Sequence, residues 1–229
     1  MPGGEGLVVC ALARETSKLV PVAGPHPVVT MGPGDHFAGA FSRYLDGLNP
    51  KPAWALLAGY SGSLSPAVFP GEVVIASAVA GAPDGNHSPS LKLQVAPQPD
   101  LTIHTGPLCT SPRLIATPTE KKSLGKQTGA LAVDMESAAF AGICNRFKIP
   151  WAVVRVVFDS LDEPLHPKML RWCDSQGRDN MSALAWDLMT SPGWWWRLPG
   201  WGNRDRLAGK SLRQALGGII QSIGTTRAS

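Results

Sequence analysis

The sequence predicts an α/β fold, a mixed twisted β-sheet flanked by helices, with an amphipathic helix added at the C-terminus. Three observations carry that expectation. Short continuous apolar runs recur along the chain, glycine-containing turns follow several of them, and helix-compatible stretches separate them. That succession builds an α/β sheet, because each run is a strand buried on both faces and each stretch covers it.

Leu7–Leu12 is the first such run, and Arg14-Glu15 follows it. Val28–Thr30 leads into the turn Met31-Gly-Pro-Gly-Asp35 and then a helix over His36–Leu48. Ala53–Leu57 reads as a strand that gives way to a second glycine turn, Gly59-Tyr-Ser-Gly62, and Glu72–Ala76 as a strand after the Pro70-Gly71 turn. Ala130–Val133 precedes a small-residue helix over Met135–Phe147. Ile149–Phe158 is the strongest strand and ends at Asp159. Residues 81–100 are rich in Pro, Gly, Asn and Ser and read as a surface excursion, and 159–180 as an irregular lid or loop. No internal repeat is visible.

Composition bounds the function. The 229 residues suffice for a sizeable core, and with only 17% charged residues, against about 25% in an average soluble protein, disorder is not expected. The net charge of +4 is unevenly placed: residues 1–190 hold 15 Lys/Arg against 16 Asp/Glu, whereas residues 191–229 hold 6 against the single Asp205. The chain therefore divides into a near-neutral body, 1–190, and a basic Trp-rich extension, 191–229. A nearly neutral body argues against nucleic acid as a partner. Cys10, Cys109, Cys144 and Cys173 are widely spaced without a C-x-x-C, which suits reduced thiols in a cytoplasmic protein. No basic n-region precedes the first apolar run, so no signal peptide is expected. The five histidines lack ligand spacing, so neither a metal nor another cofactor is expected.

Ligands of open α/β sheets bind beyond the carboxyl ends of the strands, and four such places carry chemistry. They are Arg14-Glu15, Gly32-Pro33-Gly34, Gly59–Gly62, and Asp134-Met135-Glu136 with Asp159. Gly32-x-Gly34 lacks the third glycine of a dinucleotide fingerprint, Phe37 standing in its place. Gly59-Tyr-Ser61-Gly62-Ser63 misses the last glycine of a nucleophile elbow. A guanidinium in an apolar strand must be paired or line a polar pocket, and Asp159 and Glu136 are the expected partners of Arg155. Carboxylates converging from strand ends suit acid-catalysed cleavage of a bond to a sugar or phosphate.

Ala130-Leu-Ala-Val-Asp-Met-Glu-Ser-Ala-Ala139, followed by Val153-Val-Arg155 and Asp159, resembles two elements of the nucleoside phosphorylase/nucleosidase superfamily. Glu15 matches its first-strand carboxylate, Gly32-Pro-Gly34 its first glycine turn and Gly59–Leu64 its second. Within the superfamily the resemblance is closest to the hopanoid-associated phosphorylases, through Ala116-Thr-Pro-Thr-Glu-Lys-Lys122, Thr128–Ser137 and the basic tail, and then to methylthioadenosine/S-adenosylhomocysteine nucleosidases.

The resemblance implies cleavage of the N-glycosidic bond of a 5′-modified adenosine, of the adenosylhopane type, with release of adenine. The alternatives are a methylthioadenosine/S-adenosylhomocysteine nucleosidase, a purine nucleoside phosphorylase, or a non-catalytic nucleoside-binding module. It assigns Asp159 as general acid, Glu15 as the residue orienting the attacking water, and Glu136 as acceptor from the ribose hydroxyls. Met135 would pack under the sugar, Arg155 would hold the acidic groups, and Gly34 and Gly62 would shape the substrate site. Tyr60 stands where relatives often carry a phosphate-reaching Ser, Phe158 replaces a small residue before the acid, and His104–Thr110 lacks the adenine-proximal Asp and aromatic. The expected partner is a small nucleoside, and the protein is expected to be a homo-oligomer.

In the tail, Asn203 is a plausible N-cap, and Leu212, Leu216, Ile219, Ile220 and Ile223 form one apolar stripe. The stripe either docks on the sheet, with the Trp side chains of 194–196 and 201 filling the gap, or lies on an anionic bilayer. The second alternative makes the protein peripheral to the inner membrane through residues 194–223.

Overall fold

A computed structural model describes residues 4–225 apart from 83–84, 94, 96–97, 99, 167, 191–192 and 194–197. The strands are β1 (Gly6–Cys10), β2 (Val28–Thr30), β3 (Trp54–Ser63), β4 (Val73–Ala82), β5 (Gly85–His87), β6 (Ile103–Thr110), β7 (Ala132–Asp134) and β8 (Trp151–Asp159). The α-helices are α1 (Ala13–Leu19), α2 (Asp35–Gly47), α3 (Pro118–Thr128), α4 (Ser137–Arg146), α5 (Met181–Thr190) and α6 (Leu198–Thr225). A mixed sheet flanked by helices is thus present.

The strands close further than an open sheet. β3 pairs with β1 and β8 in parallel along most of its length, and its last residues pair antiparallel with β7. β8 pairs antiparallel with β4, β4 pairs with β6 in parallel, and β6 with β7. β3, β8, β4, β6 and β7 therefore form a ring. The consequence for function is positional: the carboxyl ends of β1, β3, β7 and β8 meet at one rim. Gly62 sits opposite both Val133 and Asp159 in the register.

Alternation along the strands splits the core in two. Leu7 and Val9 of β1, with Val153 and Val157 of β8, join Phe37, Phe41 and Phe140 of α2 and α4. Val8 and Cys10, with Val154 and Val156, join Leu212, Leu216 and Ile219 of α6. Both β1 and β8 are buried throughout, as continuous apolar runs require.

Several local expectations are corrected. Gly59–Gly62 is not a turn, because β3 continues through Ser63. Its glycines serve close approach: a Cβ at Gly59 would stand 2.6 Å from Arg155 Nη1 and 2.8 Å from Glu15 Oε1. β6 escapes the sequence reading because Gly106 and Pro107 interrupt its alternation. Asn203 does not cap the tail helix, which starts at Leu198 with Pro199 in its first turn, where a missing N–H removes no helical bond. Leu212, Leu216 and Ile219 are almost fully buried against the sheet, and Trp201 is buried beside Trp172 at 5.2 Å between ring centroids. The docked form of the stripe is the one observed for these residues. Trp194, Trp195 and Trp196, and the side chain of Ile223, lie outside the described residues.

Candidate active site

The rim where four strands end opens into a cavity of about 160 Å³. Glu15, Gly62, Met135, Glu136, Arg155 and Asp159 all line it. Gly34 does not, yet it reaches the site through its backbone: the Gly34 N–H donates to Glu136 Oε1 at 3.0 Å. Gly34 stands at the head of α2 with φ +60°, a conformation that glycine adopts without a Cβ penalty. The turn thus aims an amide, rather than a side chain, at the carboxylate.

Arg155 is the centre of the charged cluster. Its side chain is fully buried, Nε donates to Asp134 Oδ2 at 2.7 Å, and Nη2 donates to Glu136 Oε2 at 3.3 Å. Burial works against the guanidinium charge, but Asp134, Glu136 and Glu15 outweigh it and hold Arg155 protonated more firmly than in water. Asp134 is saturated, accepting also from the Ser137 hydroxyl, the Ser137 N–H at 3.2 Å and Thr110 Oγ1 at 3.0 Å. It therefore serves as the counter-ion that fixes Arg155. The expected pair of Arg155 with Asp159 is not formed. Arg155 pairs with Asp134 instead, because Asp134 at the end of β7 occupies the direction in which Nε points.

Glu15 lies in the first turn of α1 and is buried, with Oε2 accepting from the Leu12 N–H at 2.9 Å and Oε1 from the Tyr60 N–H at 2.8 Å. Burial pushes its carboxyl upward, against the pull of Arg155. Glu136 is raised to about 7 by burial, again opposed by Arg155. Its remaining lone pairs face the cavity beside Met135, whose Sδ–Cε end lies near the Gly34 turn.

Asp159 ends β8, separate from the arginine cluster. It is 4% exposed, and Gly62 makes room for it, since a Cβ there would stand 2.9 Å from Asp159 Oδ2. Its partner is Lys121, a fully buried lysine on α3 that donates to Asp159 Oδ2. Burial raises the Asp159 carboxyl to about 6, with Lys121 pulling it back. Sequence reasoning missed Lys121 as a site residue. The signal was available: Thr117 and Glu120 form a capping box that starts α3 at Pro118, and the helical period then places Lys121 on the face of Leu124 and Gly125, which packs against Leu64.

One side of the cavity wall is apolar, lined by Leu12, Phe158, Leu165 and Met169, and Arg14, Tyr60 and Ser61 also reach it. Phe158 stacks on Tyr60 at 5.5 Å between centroids. The Tyr60 hydroxyl points away to α6, accepting from Lys18 Nζ at 2.8 Å and donating to Asp205 Oδ1 at 3.2 Å. Among the described residues, no group of three His, Cys, Asp or Glu is placed to hold a metal ion.

Residues 28–190 match the Phosphorylase superfamily pattern. Among solved structures, the chain is similar to the 5′-methylthioadenosine/S-adenosylhomocysteine nucleosidase of Helicobacter pylori in complex with butyl-thio-DADMe-Immucillin-A. That match has a TM-score of 0.68 at 14% identity, over 96% of this chain and 98% of that one. The futalosine hydrolase of Helicobacter pylori strain 26695 gives 0.67 at 14%, over 96% and 98%. The 5′-methylthioadenosine/S-adenosylhomocysteine nucleosidase of Neisseria meningitidis with methylthio-immucillin-A gives 0.65 at 16%, over 95% and 99%. At these identities the likeness is one of fold.

Proposed function

Since the chain belongs to the phosphorylase superfamily, we propose that it cleaves the N-glycosidic bond of a 5′-modified adenosine and releases adenine. One observation carries the reading: a buried carboxyl, Asp159, stands apart from the arginine cluster on the same cavity as Glu136 and Glu15. Breaking the bond between ribose C1′ and adenine N9 leaves an oxocarbenium-like sugar and a poor anionic leaving group. The base must be protonated as the bond stretches. Asp159, raised by burial toward neutral pH, is the general acid.

Glu136, oriented by the Gly34 amide and Arg155, accepts from the ribose 2′ and 3′ hydroxyls, a task that suits a carboxylate with two oxygens. Met135 packs under the sugar as a polarizable surface. Glu15, fixed by two backbone amides, orients the attacking water. Water is favoured over phosphate as nucleophile because the Tyr60 hydroxyl is turned toward Lys18 and Asp205. Phosphorolysis is the second reading, favoured by Arg14, which lines the same cavity with Asp179 3.8 Å away as its ionic partner.

The apolar wall of Leu12, Phe158, Leu165 and Met169 suits an uncharged 5′ substituent. A hopane-type group comes first, on the motifs of 116–122 and 128–137, and methylthio or homocysteinyl groups are the alternatives. The protein acts as a cytoplasmic homo-oligomer. In the tail, bilayer contact within 194–223 falls to the exposed face of α6, where Arg206, Lys210 and Arg213 recur at helical spacing beside Leu207. Charge reversal at these three arginine and lysine positions should abolish cosedimentation with anionic liposomes, and unchanged sedimentation rejects the contact.

The substrate reading is tested by a panel of 5′-substituted adenosines, with adenine release measured with and without phosphate. Phosphate-independent release is expected. Strict phosphate dependence would reject the water-orienting role of Glu15, and binding of the nucleosides without any release would make the protein a binding module.

A further inference from the structure

Lys121 is a fully buried lysine in a protein whose other described lysines all retain some exposure. Its ammonium group has three donors, and all three are committed: to Asp159 Oδ2, to the Ser160 carbonyl at 2.8 Å and to the Glu163 carbonyl at 2.7 Å. It is thus fixed in direction by the loop that leaves β8 and cannot turn away when the charge on Asp159 changes. The groups that face Asp159 come from every surrounding element: Lys121 from α3, Glu163 from the loop after β8, and Arg204 from α6, which is itself paired with Glu163.

A buried general acid faces two opposed demands. It must hold a proton at working pH, which burial ensures, and it must give that proton up to a purine nitrogen, which burial alone resists because the carboxylate left behind is poorly solvated. A fixed cation beside the carboxyl meets the second demand. Its attraction is weak for the neutral acid and strong for the anion, so it is felt mainly as the proton leaves, in the transition state.

We propose that Lys121 is the positioning residue of the general acid: it fixes the Asp159 carboxyl at the rim and stabilises the carboxylate formed as the proton passes to the departing base. This rests on the N-glycosidic reading above. In the step itself the proton moves from Asp159 to the base nitrogen, the electron pair of the C1′–N9 bond stays with the purine, and Lys121 keeps its three protons throughout.

The test is the pH profile of Lys121→Met and Lys121→Arg, with 5′-methylthioadenosine or the best substrate of the panel. Asp159 must be protonated to act, so activity falls as pH rises through its pKa, and losing the neighbouring cation moves that alkaline limb upward. For Lys121→Met, the limb of kcat/KM should shift up by about one pH unit, and kcat on the acidic plateau should fall about 10-fold or more. KM should change little, because Lys121 touches no substrate. Lys121→Arg should bring the limb back toward its original position. If Lys121→Met proves unstable, Lys121→Gln keeps donors for the two carbonyls without the charge and should show the same shift.

A limb that stays in place in Lys121→Met or Lys121→Gln, with plateau kcat within twofold of the original, overturns the proposal and leaves Lys121 a packing residue. Asp159→Asn, assayed alongside, keeps the two readings apart. If Asp159→Asn retains activity, the general-acid reading itself fails. If it is inactive while the lysine variants show no shift, only the role of Lys121 fails. Adding Lys121→Met to Asp159→Asn should cost little further activity, since the two residues act on one proton.

Discussion

Arg155 donates to Asp134 at 2.7 Å in a site where both side chains are essentially without solvent contact, although 21 residues of chain separate them. Such a pair offers little net stability over an apolar packing, but removing one partner leaves a buried charge uncompensated, at a cost of about 3–5 kcal/mol. Arg155→Met should therefore lower unfolding free energy by that order, measured by urea denaturation. It should also disable the site, because Glu136 loses its second fixed donor. Asp134→Asn, which keeps an acceptor for Arg155, should destabilise less.

Gly62→Ala isolates geometry from charge. The added methyl would stand 2.9 Å from Asp159 Oδ2, a distance that forces the carboxyl or the strand to move. Misplacing a catalytic group by about 1 Å can cost about 10²-fold in rate, and a loss of that order in kcat is expected while circular dichroism and melting behaviour stay near those of the unaltered protein. Gly47→Ala at the end of α2, where nothing lies within 4 Å of the added carbon and the backbone is helical, is the control for the substitution away from the site.

Much of this was legible in the residues. Continuous apolar runs announced β1 and β8 because strands buried on both faces have no polar positions to interrupt them. The candidate residues Glu15, Met135, Glu136, Arg155 and Asp159 could be named because each follows or interrupts such a run. What could not be read was pairing across the ring. Of its two acidic partners expected by sequence, Arg155 keeps Glu136 but takes Asp134 in place of Asp159, because the pairing of β7 with β3 and β6 brings Asp134 to the site. Lys121 stands within the 116–122 motif but does not read as a site residue, because a lysine on a helix beside another lysine is ordinarily solvated. Gly59 and Gly62 read as a turn, because nothing in sequence distinguishes a glycine that bends the chain from one that admits a neighbouring carboxylate.

Stability should fall with rising pH across the neutral range. Glu136 and Asp159 are raised by burial to about 7 and about 6, and Glu15 shifts the same way. Through these three carboxyls the folded protein binds more protons than the unfolded chain between about pH 4 and 7, and His166, held down by burial, counts in the opposite sense near neutrality. The stabilising contribution of the carboxyls is complete below the unfolded values and is lost as pH rises through the folded ones. Glu120, held down to about 2 chiefly by Thr117 and Arg113, acts oppositely but only in acid. The thermal midpoint should be higher at pH 5 than at pH 8, by about 2–4 °C for each kcal/mol in a domain of this size. Glu136→Gln should flatten the slope.

The most direct test of glycosidic cleavage by a buried acid is the turnover of Asp159→Asn on the preferred 5′-substituted adenosine, followed by adenine release at pH 6. The amide keeps the size of the side chain and cannot supply the proton. A fall in kcat of about 10²–10⁴-fold, with melting temperature preserved, is expected. Turnover within twofold of the unaltered protein would contradict the assignment of Asp159 and, with it, the reaction proposed for this fold.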